Sequence, residues 1–355
     1  MTALTNNGSH LRRGHDLPVL MLSQDYELFF QRSGSIDKCL FEPASLLLDF
    51  ADESGVRITF FVDAGMLCRM RELASTNLPM ANDLSRIQKH IESLHARGHE
   101  IGLHIHPHWE DTRWENGEWD FSGTRYQLRD FSADDVANIV ARYTSTLNEL
   151  CDGGIAVFRA GGFCIEPFNI LRNPLQANGI TVDSSIVPGA RLNDGDKAFD
   201  FTNAPSQSWW RFDESPMKPC PDGGFLEIPV TPLMLPFFHY WGRAIDRVLE
   251  RQPSGVIGDG SSKAIGKREI VRRLAGMGRI SELSVDAAKA GQLLSSHVLR
   301  RKRSIWHVMG HPKLLAKSSL DALQKFISHK DIRRFESLSG LASAIHAGEL
   351  SARPD

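Results

Sequence analysis

The chain has 355 residues, of which 41% are hydrophobic and 24% charged, with a net charge of −2. That balance describes an ordinary soluble globular protein and excludes the basic footprint of a nucleic-acid binder. No apolar run reaches the roughly 18 residues that a membrane-spanning helix needs.

Residues 1–17 are polar and hold His10, Arg12, Arg13 and His15 without an apolar signal-peptide core. They are expected to be a disordered tail before one domain over 18–350. Five cysteines (39, 68, 151, 164 and 220) are scattered, with no CxxC pair. This fits a reducing compartment and predicts a cytoplasmic protein.

Residues 19–22 form a short apolar run, expected as the first buried strand. Asp25 and Glu27 follow it directly, where α/β folds place catalytic groups, although a solvated loop would read the same way. A helix is expected over 42–54, closed by Gly55, and a second strand over 56–62, rich in β-branched and aromatic residues. The next helix, 82–97, ends at Gly98.

Four histidines then fall within ten residues (His99, His104, His106 and His108), of 14 in the whole chain. Residues 101–105 read as a strand that Pro107 must end. Along an extended chain, His104, His106 and His108 share a face. Surface or core histidines are the plain alternative. Three imidazoles at alternate positions favour a divalent metal site of the zinc class.

The stretch 109–131 interleaves Trp109, Trp114, Trp119, Phe121, Tyr126 and Phe131 with charges and glycines, without a period. It reads as a long ordered loop that covers a substrate cleft or packs as a lid. Ser132 is a good N-cap for a helix to about 151, with Asp135 at N3. A strand over 156–158 leads into Arg159-Ala160-Gly161-Gly162, where the glycines let backbone approach a ligand. A helix over 168–178 and a strand over 180–182 follow. This alternation predicts a parallel sheet or barrel.

A second long loop, 186–225, contains Trp209-Trp210, a possible sugar platform, and a short strand is expected at 226–230. Residues 253–266 are loop-like. They fail as a phosphate loop because Arg268 stands where Ser or Thr is required. A helix is expected over 284–299, then a last strand over 305–309 ending in Gly310-His311-Pro312-Lys313. Helices over 320–327 and 332–346 close the chain.

Asp25-x-Glu27, His104-x-x-x-His108, Arg159-Ala-Gly-Gly and His311-Pro312, in this order, resemble the motifs of the polysaccharide deacetylase superfamily, the NodB-homology hydrolases or carbohydrate esterase family four. The resemblance spans about residues 18–315. Segments at Asp183-Ser-Ser, Asp200-Phe-Thr-Asn-Ala-Pro and Glu227-Ile-Pro are similar to its cytoplasmic branch in surface-polysaccharide biosynthesis. The resemblance implies an α/β fold, a distorted (β/α) barrel with seven or so parallel strands, and one divalent metal, usually Zn²⁺. It implies Asp25 as general base, Glu27, His104 and His108 as metal ligands, Arg159 orienting Asp25, and His311 as general acid. His106 is an extra histidine, either a substrate contact or a replacement for His108. Trp109, Gly161, Gly162, Trp209 and Trp210 are the expected substrate contacts.

Departures from the family pattern are the intervening Tyr26, a glutamate in place of the second aspartate, and no matched aspartate to tune His311. The implied activity is N-deacetylation of an N-acylated sugar, as a nucleotide- or lipid-linked precursor. An amidohydrolase acting on a small non-sugar amide or ureide, and a non-catalytic carbohydrate-binding barrel, are the alternatives.

Overall fold

The computed structural model describes residues 18–195, 197–235, 255–262 and 279–350. The expected N-terminal tail and the residues of the rejected phosphate loop beyond 262 lie outside these. Strand β1 (Val19–Tyr26) is buried along its whole length. It runs four residues past the apolar run that marks it in sequence. Ser23 and Asp25 find buried partners in His307 and Arg159, so polar residues need not end the strand.

The other strands of the main sheet are β2 (Ile58–Asp63), β3 (Glu100–Ile105), β4 (Val157–Ala160), β5 (Val182–Asp183), β6 (Trp210–Phe212), β7 (Phe225–Glu227), β8 (Ile305–Gly310) and β9 (Arg334–Phe335). Their order is β6-β7-β5-β4-β3-β2-β1-β8, with β9 beside the start of β1. Every pairing is parallel except the antiparallel edge β6–β7.

The result is a curled, mostly parallel half-barrel, the expected α/β class. Between its outer strands, irregular backbone carries the hydrogen bonds: Ile228 N to Asp183 O at 2.9 Å, Val230 N to Ile186 O at 2.9 Å and Thr231 N to His307 O at 3.1 Å. On the far side of β8, Val285 N bonds Met309 O at 2.9 Å.

Helices cover the outside. α1 (Glu42–Ser54) matches its expected bounds and ends at Gly55 with φ 70°. α2 (Ala64–Ala74) was not expected. α3 (Leu78–Ala96) starts four residues early because the Asn77 side chain accepts from Met80 N, capping a turn that holds Pro79. α4 (Ala133–Asn148) is capped by Ser132, as expected. α5 (Asn169–Ala177) follows β4, and α6 (Ser296–Arg300), α7 (Lys317–Lys330) and α8 (Leu338–His346) come late in the chain.

Two helical expectations give way to tertiary contacts. Over 284–299 only a 3-10 turn and α6 are helical, since residues 283–285 lie extended against β8. Over 332–346 the first residues join the sheet as β9, and α8 starts only after the Ser337 cap. The long loops carry short hairpins, Arg113–Glu115 with Glu118–Asp120 and Arg191–Asp194 with Lys197–Asp200. Among the described residues, no helix is long and apolar enough to cross a membrane.

Alternation along β1 sorts two environments. Leu20 and Leu22 pack in the large core shared with the helices, whereas Val19 and Met21 join a second cluster with Phe61, Val157, Leu226, Ile305 and Leu338, Leu341 and Ile345 of α8. α8 therefore plugs the amino-terminal end of the sheet's concave side. The same face of β1 continues through Ser23 to Asp25 at the carboxyl end.

Gly102 lies in β3 where a Cβ would meet the Phe61 ring at 2.7 Å and Val157 Cγ2 at 2.8 Å. Gly102→Ala should therefore destabilise the fold by ~1–3 kcal/mol through overpacking. A chemical-denaturation midpoint equal to wild type would show that the neighbouring strands have room to yield.

Candidate metal centre

Parallel register places the functional side chains in one row: His104 pairs with Asp63 on one side and Arg159 on the other. Asp25 and Glu27 leave the end of β1 on one face. Tyr26 between them points outward, with Oη 2.7 Å from His90 Nδ1 of α3. This outward anchor fixes the twist of the chain that carries both acids.

Arg159 is fully buried and fully engaged. Its Nη1 donates to Asp25 Oδ1 at 2.6 Å, Nε to Ser184 O at 2.9 Å, and Nη2 to Ser23 Oγ at 2.9 Å and Ser184 Oγ at 3.1 Å. Burial alone would raise the Asp25 pKa. Arg159, then His104 and His311, outweigh it and hold the carboxyl below its usual value.

His104 Nδ1 donates to Arg159 O at 2.8 Å. That bond leaves Nε2 facing Glu27 Oε2 at 3.3 Å and Asp25 Oδ2 at 3.8 Å. His106 Nε2 lies 2.8 Å from the same Glu27 Oε2, which nevertheless accepts no hydrogen bond. Ring nitrogens this close to a carboxylate oxygen, without hydrogen-bond geometry, are aimed at a common point. One ligand atom each from Glu27, His104 and His106 falls within 4.8 Å of the others. One carboxylate and two imidazoles fit a divalent cation with open coordination positions. Burial pushes the His106 pKa down to about 4, so this ring is neutral and ready to ligate. Burial would also lower His104, but Asp25 and Glu27 raise it to about 8.

His108 is not in this group. Pro107–Glu110 forms a 3-10 turn that breaks the alternation expected of an extended chain. The His108 ring packs instead against Phe30 at 4.4 Å, Phe121 at 5.0 Å and Tyr126 at 5.9 Å between centroids. Burial holds its pKa well below the ordinary value. Of the expected substrate contacts, Trp109 is buried and donates to Asp63 Oδ2 at 2.5 Å. Trp210 is buried on β6, donating to Pro216 O at 2.8 Å, and Trp209 packs on the plug cluster at the other end of the sheet. None of the three presents a stacking face at the metal centre. Gly161 does lie at the centre: a Cβ there would meet Ile105 O at 2.5 Å and His106 Nδ1 at 2.6 Å.

His311 closes the site. Its backbone N–H and Nδ1 both meet Asp286, at 2.9 and 3.1–3.2 Å, while Nε2 lies 3.8 Å from Asp25 Oδ2 and 3.7 Å from Glu27 Oε1. Burial would lower its pKa, but Asp286 outweighs that and raises it. Asp286 is the acid that sequence matching did not find, because it sat in a stretch read as helix.

Two further residues were missed. Lys313 Nζ donates to Glu27 Oε1 at 2.9 Å and Leu28 O at 2.6 Å, and it lies over the Phe29 and Phe30 rings. Against the burial that raises it, Lys313 is the first of the charges holding the Glu27 pKa well below normal. Asp63, raised to about 7 by burial and by the Glu27 charge, ends β2. The signal for Asp63 was available: an acid at the carboxyl end of a buried strand, as for Asp25.

No protein-family model and no curated protein matches the chain. Among solved structures, one from Mycobacterium smegmatis described as a polysaccharide deacetylase aligns at 16% identity over 94% of this chain and 95% of that one, with a TM-score of 0.43. The peptidoglycan N-acetylglucosamine deacetylase Bc1960 aligns at 12% identity over 91% and 87%, TM-score 0.38. A family 4 carbohydrate esterase from Streptomyces lividans aligns at 9% over 90% of each chain, TM-score 0.38. At these values the likeness carries no argument about function.

The geometry separates the histidines experimentally. His104→Ala and His106→Ala should each weaken zinc binding by more than the ~10–100-fold lost with an outer-sphere partner, and His108→Ala should keep its metal. Elemental analysis after dialysis reads this directly. Metal loss from His108→Ala with retention in His106→Ala would reverse the assignment.

Proposed function

We propose that the chain is a metal-dependent hydrolase of carbon–nitrogen bonds, of the polysaccharide deacetylase type its motifs resemble, which removes the acyl group from an N-acylated sugar. One observation carries the reading. The Glu27–His104–His106 group is flanked by a carboxylate held by Arg159 and by an imidazole held by Asp286. That is a ligand set with a base beside it and an acid beside it.

A zinc-class ion, held by Glu27, His104 and His106, would supply Lewis acidity toward the amide carbonyl and an acidified water. Asp25 takes the proton of the attacking water through Oδ2, since Arg159 occupies Oδ1. Arg159 keeps Asp25 ionised across neutral pH. His311 Nε2 gives a proton to the departing amine, which cannot leave as an anion. Asp286 holds Nδ1 and sustains the protonated ring. Lys313 keeps Glu27 ionised and ties up Oε1, leaving Oε2 turned toward the two histidines.

Five free cysteines, four of them buried, suit a reducing compartment, where the substrate would be a nucleotide- or lipid-linked precursor. A small non-sugar amide is the second reading. It is favoured by the placement of Trp109, Trp209 and Trp210, none of which turns a stacking face to the centre. Acetate release from acetamido sugars by the zinc-loaded protein tests the first, and turnover of ureides with no sugar turnover would install the second.

The two acids have different tasks. Asp25→Asn should keep its metal and lose rate by roughly 10²–10⁴. Glu27→Gln should weaken metal binding and regain part of its activity in excess zinc. Metal affinity and kcat for both variants decide, and the opposite pattern would exchange the roles.

The His311 pKa is raised by Asp286, so the protonated acid persists to higher pH. Asp286→Asn removes that support and should move the alkaline limb of the kcat profile to lower pH. An unmoved limb would show that another group delivers the proton.

A further inference from the structure

Beside the metal centre lies a polar wall that the chemistry above does not use. Gly161 abuts His106, and the next residue, Gly162, has φ +59°. A Cβ on Gly162 would meet Tyr126 Oη at 2.6 Å, Lys197 Cε at 2.8 Å and Lys197 Nζ at 3.2 Å. Three segments therefore converge there: the turn after β4, the loop 109–131, and the hairpin of Arg191–Asp194 with Lys197–Asp200.

The hairpin is fastened in place. Cys164 Sγ reaches Ala198 O at 3.7 Å, Phe199 meets Phe163 at 5.9 Å, and Phe199 stacks on Phe201 at 4.8 Å. Lys197 is only partly exposed, yet its Nζ makes no ion pair or hydrogen bond to any described residue. Lys289, Lys313 and Lys330, also largely or partly buried, each donate to a protein oxygen. Tyr126 Oη likewise has no hydrogen-bond partner among the described residues.

A cation held one residue from the turn that touches a metal-site histidine, without an anionic partner among the described residues and with a hydroxyl donor beside it, is arranged to receive an anion. We propose that Lys197, with Tyr126, binds an anionic group of the substrate, a phosphate ester or a carboxylate, so that the preferred acylated sugar is a charged one. The sugar scaffold rests on the deacetylase reading; the anion does not.

The test is calorimetric titration of the zinc-loaded protein in an Asp25→Asn background, which prevents turnover. The probes are N-acetylglucosamine, N-acetylglucosamine 1-phosphate and N-acetylmuramic acid. At least one anionic sugar should bind about five- to tenfold more tightly than the neutral one, as expected of a single charge-assisted contact at a partly screened site. Lys197→Gln should bring that ratio to about one, Lys197→Arg should restore most of it, and raised salt should shrink it.

Preference for the phosphate or for the carboxylate identifies the anion. No preference in the Lys197-containing protein, a preference that survives Lys197→Gln, or no binding of either anionic sugar overturns the proposal. Acetate release by the Asp25-containing enzyme is scored separately. Lysine-dependent anion preference without acetate release sinks the deacetylase reading alone, and acetate release without the preference sinks only the role of Lys197.

Discussion

A fully buried guanidinium sits where four strands of the sheet meet. Arg159 spans from β4 to Asp25 and Ser23 on β1 and to Ser184 just past β5, and its carbonyl holds His104 on β3. Leaving a guanidinium unpaired in such a place costs several kcal/mol, so the surrounding polar atoms are constrained to meet it. Ser23 follows from this: a small hydroxyl on the inner face of β1 accepts from Arg159 and bonds His307. The guanidinium thus fixes Asp25, His104 and the spacing of the strands between them.

That constraint is affordable because the concave side of the sheet changes character along its length. At the amino-terminal end Val19, Met21 and the apolar face of α8 exclude water. At the carboxyl end the same faces present Asp25, His104 and Arg159. Strand alternation makes each two-residue step along the sequence one level of this column.

The site distributes its cations by task. Arg159 engages one oxygen of Asp25 and Lys313 one oxygen of Glu27. Each acid is kept ionised, and each keeps a second oxygen turned inward. Asp286 does the converse for His311, favouring the charged imidazole and raising its pKa. Asp63, pushed up to about 7, shows what burial does to a nearby carboxyl without such a cation.

By itself the sequence determined the parallel α/β class, the bounds of α1, the Ser132 cap, and the presence of acids and histidines at strand ends. These are encoded locally, in apolar period, capping residues and glycine, so neighbours along the chain suffice to read them. Tertiary structure alone decided which histidine joins Glu27 and His104. Pro107 starts a turn that directs His108 into an aromatic pocket, and only the close approach of Gly161 leaves His106 where it stands. Asp286 and Lys313 were likewise invisible, because their roles depend on an extended segment bonding to β8 and on the turn after it. The tryptophans 209 and 210 looked like a platform in sequence, but β6 is the far edge of the sheet. A side chain's type is written in the sequence, whereas what it faces is set by which strand ends the sheet brings side by side.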